Sequence, residues 1–279
     1  MMVTFSAGNA NAAIPKPAAP HAEFKIEYIW VALASALFAG FAIGAHLSFV
    51  IGFEFPLGAG FASFIQTHGH IQLVGWVGLF IIGISLYFIP RLAGVPITQP
   101  QWIDRILWLM ATGLLLRGVG HSLVAYLIDT AAFPYVSWAV AGSALLEWFS
   151  ILVYFGLLAG IFRHVKRAGI RPALAQVAPL FLMMLSGWLI YATFNLILLT
   201  QMAWRHAVIV DQAWNELAIQ AFIGLVLLPV TFAFSVRMFP LYLRLAAPSW
   251  PVRRLAYVYL LTLALQIIPT LPPFQNIRP

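Results

Sequence analysis

The chain reads as all-α, a polytopic membrane helix bundle of about seven transmembrane helices. Of its 279 residues, 62% are hydrophobic and 8% charged, too few polar side chains to cover a water-soluble domain. Seven apolar runs, near 28–51, 65–90, 105–128, 136–162, 174–200, 214–238 and 253–271, each approach the ~20 residues a bilayer core requires. Each run is read as a helix, since only helices and closed barrels satisfy the backbone in lipid. The lipid bilayer is therefore the first partner.

The distribution of positive charge gives the orientation. With the N-terminus inside, twelve lysines and arginines fall on the inner side, and only Arg205 and Arg278 on the outer. Arg117 is left within the membrane. The net charge of +7 then reads as topology and contact with anionic lipid, not as nucleic-acid binding, and suits an inner (cytoplasmic) membrane. Residues 1–25 contain AAIPKPAAP and no continuous apolar run, which suits a disordered cytoplasmic leader ahead of a transmembrane domain over 26–279. The absence of cysteine excludes disulfides, iron–sulfur clusters, thiolate haem ligation and covalent haem attachment. Any metal must be held by His, Met or carboxylate.

The first span carries His46 close to its outer end, before an aromatic, Gly-rich loop, FEFPLGAGFASF. The second, THGHIQLVGWVGLFIIGISLYFIPR over 67–91, has His68 and His70 at its start, within ~3–8 Å of the outer face. Polar groups there are costly unless something coordinates or pairs with them. Two residues apart on a regular helix is about 200°, so the pair cannot both face one metal unless Thr67 and Gly69 loosen the first turn.

The third span holds the most costly side chains, Arg117 and His121 in LLLRGVGHSL, four apart and on one face. Two partners offer themselves for Arg117: a haem propionate, or Glu147 in the SALLEWFS stretch of the fourth span. Arg117 and Glu147 both come out ~16–18 Å deep, and the short DTAAFP turn makes their helices antiparallel neighbours. His121 sits higher, about 10 Å from the outer face.

The inner segment RHVKRAGIRP, with His164, is a solvated basic connector. In the fifth span Trp188, Tyr191 and Asn195 are explained by packing. The outer segment WRHAVIVDQAWNE, with His206, Asp211 and Glu216, is either wet or closes over a cofactor. The sixth span echoes the second, with a polar start, Gln, Gly, an apolar stretch, then Arg and Pro; Asn215 and Glu216 stand where the second has histidines. Pro229 should kink it without breaking it. The final span runs from Arg253 toward an outer LPPFQNIRP. Five of the seven histidines, His46, His68, His70, His121 and His206, thus fall in the outer third or outer loop.

The pattern of His68, Gly75-Trp76, Tyr87 and Arg91 resembles the second transmembrane helix of subunit I in the haem-copper oxidase superfamily, especially the C-family oxidases. It is similar in character to NnrS-type membrane proteins, which contain haem and copper and are connected with nitric oxide stress. The resemblance covers about one helix of the seven. It implies haem b, with His68 as an axial ligand. The depth argument makes His121 the preferred second ligand and Arg117 a group for the propionates, with copper at the spare histidines His46 and His70. Five scattered histidines, without a His-His pair on one helix, cannot fill that superfamily's binuclear centre, so no terminal oxidase is expected.

Two functions follow. One is a haem b protein that relays electrons or responds to nitric oxide, with an electron donor or other membrane subunits as partners. The other is a non-redox transporter or assembly subunit in which Arg117 and Glu147 mark a pathway.

Overall fold

The computed structural model describes residues 23–169, 172–246, 248 and 250–268, and it is 84% helical, with no strand among the described residues. Among the described residues, six helices are long and apolar enough to cross a membrane: α1 (Glu27–Gly52), α2 (Gly60–Ala93), α3 (Gln101–Tyr126), α4 (Phe133–Ala168), α5 (Pro172–Trp204) and α6 (Gln212–Tyr242). The chain is a multi-pass helical membrane protein. The seventh expected span appears as α7, Val252–Ile267. Its 16 residues reach ~24 Å, short of the ~30 Å hydrocarbon core. Residues 1–22 of the expected leader, Arg171, and the chain beyond 268 lie outside the described residues.

Two helix boundaries differ from the expectation. α2 begins at Gly60, five residues before the expected apolar run, because FASFI extends the helix into the expected Gly-rich loop. His68 and His70 consequently lie ~12–15 Å along the helix rather than at its start. Likewise α4 runs on to Ala168, so the RHVKRA stretch forms the last turns of a helix rather than a connector. Charged residues favour helix ends as readily as loops, and Lys and Arg suit a helix C-terminus.

α3 and α4 are antiparallel neighbours, as the short turn required, and make the closest helix pair in the bundle. Their seam is built from small residues seven apart. A Cβ on Gly113 would stand 2.9 Å from the Ser143 carbonyl, and one on Gly120 would stand 2.9 Å from Val140. Ser150 donates across the seam to the Ile106 carbonyl at 2.8 Å. Small residues at the interface let helices approach closely where no hydrophobic effect drives them together.

Three helices contain π-helical turns: Ser35–Phe41 in α1, Ile71–Gly78 in α2 and Ile223–Leu227 in α6. In α6 the wide turn directly precedes Pro229, whose missing N–H and ring it accommodates, so the helix continues to Tyr242. In α2 the wide turn starts at the residue after His70. Such turns re-aim side chains and are frequent at functional sites.

Candidate functional site

The costly residues gather in one place. On α2, Ser63, Thr67, His70, Ile71 and Val74 form a buried stripe at helical spacing. The stripe faces α3, α4 and α5, and His70 is its one titratable member. Its Nε2–H donates to Glu147 Oε1 at 3.0 Å, from α4, and the Tyr191 hydroxyl of α5 meets its Nδ1 at 3.2 Å. Asn195, one turn further along α5, donates to Glu147 Oε2 at 3.3 Å. The carboxylate thus has an acceptor contact on each oxygen, and three helices are tied by two side-chain pairs and one tyrosine. Breaking any of them would leave a buried polar group unmet, at about 1–3 kcal/mol for a neutral group and more for a charge.

α3 supplies the rest. Arg117 is 2% exposed and His121 0% exposed. Arg117 is within electrostatic reach of Glu147 and Tyr191, and His121 within reach of Arg117 and His70. No ion pair joins Arg117 to Glu147 among the described residues, because His70 and Asn195 occupy the carboxylate. Arg117 Nε and Nη1 are buried without hydrogen-bond partners, as is His121 Nδ1. Glu147 therefore compensates Arg117 through space rather than by contact.

The 205–211 connection closes the end of the bundle above this cluster. His121 Nε2–H donates to the Val208 carbonyl at 3.2 Å, and the His121 carbonyl accepts from Ser63. Gln66 grips Val210 twice, donating to its carbonyl at 2.7 Å and accepting from its N–H at 2.9 Å. Asp211 then caps α6 by accepting from the Trp214 N–H at 3.3 Å. The outer segment's three candidate residues, His206, Asp211 and Glu216, are all exposed, His206 lying against Phe133, and it is the apolar 208–210 stretch that packs onto the bundle.

His68 belongs elsewhere. Some 200° around α2 from His70, it faces α1, where its Nδ1–H donates to the Gly40 carbonyl at 2.8 Å. Gly44 makes room for the ring, since a Cβ there would stand 2.9 Å from its Cε1. His46 lies in the same seam, its ring 5.2 Å from that of Phe64, one turn along α2 from His68. The four histidines therefore sort as His46 with His68 at the α1–α2 seam, and His70 with His121 in the core. The expected axial pair of His68 and His121 is not brought together, because the two side chains take different neighbours. Nor are His46 and His70. Among the described residues, no three His, Asp or Glu side chains converge as a metal-binding group.

Two features of these residues suit a haem group. The unmet donors of Arg117 suit a carboxylate such as a propionate. His68 suits a ligand too: its Nδ1 is fixed by a backbone carbonyl and its Nε2 makes no hydrogen bond among the described residues, the usual orientation of a metal-binding imidazole. A bis-histidine site from His68 and His121 does not fit. Both His70 nitrogens are engaged within the core cluster, which removes it as a ready ligand.

Tyr191 and Asn195, assigned to packing from the sequence, are members of the cluster. Their signal was available: both are polar-capable residues four apart, hence on one face, at the depth of the other buried polar groups. No family model matches the chain, and no curated protein or solved structure matches it either.

Proposed function

We propose that the protein is a proton-handling membrane protein that works through the His70–Glu147 pair, in the manner of the His and carboxylate relays of transporters. One observation carries this reading: a titratable histidine and a carboxylate, both buried, in direct contact at 3.0 Å within the apolar bundle. The proton between His70 Nε2 and Glu147 Oε1 can move to the carboxylate only when Nδ1 carries a proton of its own, since the ring would otherwise be left as imidazolate. With it on His70, the Tyr191 hydroxyl donates to Nδ1; with a second proton on Nδ1, the same tyrosine accepts. Arg117 keeps a positive charge beside the carboxylate in both states, and Asn195 holds the carboxylate in position. An inner-membrane location with the N-terminus inside accords with the charge distribution.

The test is proton entry into proteoliposomes holding a trapped pH-sensitive dye, under a potassium diffusion potential. Glu147→Gln and His70→Gln should reduce the flux to that of empty liposomes, and His68→Ala should leave it unchanged. Wild-type flux in both relay variants would remove the proposal.

A second reading is favoured by His68 alone, whose fixed Nδ1 leaves Nε2 free to bind haem b, as the resemblance in α2 implies. Bound haem would supply electron transfer or gas binding, while the Gly40 carbonyl would orient the ligand through its Nδ1–H. On that reading the purified protein shows a reducible Soret band that His68→Ala abolishes and His164→Ala preserves. A colourless protein leaves the proton-handling reading alone.

A further inference from the structure

A groove of about 610 Å³ runs along α5, with α6 as its floor and α7 as its far wall. The α5 side is a stripe at helical spacing: Ala175, Pro179, Leu182, Ser186 and Ile190. The 15 helical steps from Ala175 to Ile190 make the trough ~22 Å long. Its floor is low because Gly187 lies against the α6 backbone, where a Cβ would stand 2.5 Å from the Leu225 carbonyl oxygen. α7 contributes Ala256, Tyr257 and Leu260, and at the same end as Ala175 it contributes Arg253.

The groove is therefore polarised. Nearly its whole length is apolar, and Arg253, its one charged lining group among the described residues, stands at one end. That end also carries the basic last turns of α4 and Arg254. Arg253 is exposed and forms no ion pair among the described residues, its guanidinium lying 5.9 Å from the Tyr257 ring. A cation over an open apolar trough, parallel to the helices of a membrane bundle, is the complement of one kind of molecule.

We infer that this groove binds an anionic phospholipid, with its phosphate on Arg253 and one acyl chain lying in the trough between α5 and α7. A neutral lipid would fill the trough equally well, so the selectivity comes from Arg253. A guanidinium matches phosphate geometry with two parallel N–H donors, which a lysine could not reproduce. The site also gives α7 a role. Too short to span on its own described length, it is held to the bundle by Tyr259 donating to the Gly224 carbonyl at 2.7 Å, and a lipid between α5 and α7 would extend that contact.

The full chain is reconstituted in bilayers of equimolar phosphatidylglycerol and phosphatidylcholine, extracted gently, and its retained lipids are counted by native mass spectrometry. Wild type should retain phosphatidylglycerol in preference to phosphatidylcholine. Arg253→Gln should abolish the preference while leaving total retention unchanged, and Arg254→Gln should keep it. Ser186→Phe, which fills the trough from an exposed position, should lower retention of both lipids. Equal retention of the two lipids by wild type, or an unchanged preference in Arg253→Gln, would overturn the assignment. Both outcomes are independent of any proton flux or haem.

Discussion

α2 and α6 are built alike and used differently. Each is an 11-residue α-helical segment, a π-helical stretch and a 15-residue α-helical segment, Gly60–His70 then Leu79–Ala93 with Pro90, and Gln212–Phe222 then Leu228–Tyr242 with Pro229 and Pro240. The buried polar residues of α2, Ser63, His70 and Ser85, bind three other helices, α3, α4 and α5. The polar residues of α6 stay local, Gln212 donating to the exposed Glu216 one turn on at 2.9 Å and Asp211 capping the helix. The shared backbone thus sets a geometry, a long helix with a widened turn. Which side chains meet a neighbour at that turn decides whether the helix carries a site.

The sharpest way to break this comparison is to remove one carboxylate from each region. Glu147→Ala strands Arg117 without a counter-charge and leaves His70 and Asn195 unpaired, and should cost about 3–5 kcal/mol. Glu216→Ala on α6 should change stability by no more than about 0.5 kcal/mol. Unfolding midpoints in detergent measure both, and comparable shifts would mean that burial does not separate the two helices.

Backbone contacts should show less asymmetry. Gly83→Ala on α2 would press a Cβ 2.6 Å from that of Tyr28, and Gly187→Ala would press one against α6 at Leu225. Each should cost about 1–3 kcal/mol by overpacking. Gly118→Ala, whose Cβ would meet Ile71 at an ordinary 3.7 Å, serves as the neutral control.

Next in size is the cap. Asp211→Ala should destabilise the start of α6 by about 1 kcal/mol, with Asp211→Asn largely restoring it, read as hydrogen exchange in the first turn. α2 has no side-chain cap to lose, its first turn following Ala59.

The smallest effect lies outside both helices. Lys25 pairs with Asp104 at 2.9 Å, and that hydrogen bond raises the lysine's pKa above its ordinary value. Its stabilisation is therefore present below the ordinary lysine pKa and is lost as pH rises through the raised one, in the alkaline range. Both side chains are exposed enough for screening, so Asp104→Asn should cost under about 1 kcal/mol and less in high salt.

Much of the site was legible. Arg117, His121 and Glu147 stand out because charge in an apolar run is expensive, and depth arithmetic placed Arg117 and Glu147 near one level. The 200° separation of His68 and His70 also emerged from spacing alone. What spacing could not say is which of the two faces inward. That depends on where α1 packs, and Gly40 and Gly44 admit α1 on the His68 side.

The chain's own composition determined that it is a bundle of membrane-crossing helices, because apolar runs of bilayer length leave the backbone no other way to satisfy itself. It also determined which side chains would be costly. Only the tertiary structure decided how that cost is met: Glu147 takes His70 and Asn195 rather than Arg117, and His68 turns to a carbonyl of α1. Helix periodicity fixes angles within one helix, whereas partners depend on the rotation of each helix against its neighbours, which small residues scattered through the chain control jointly.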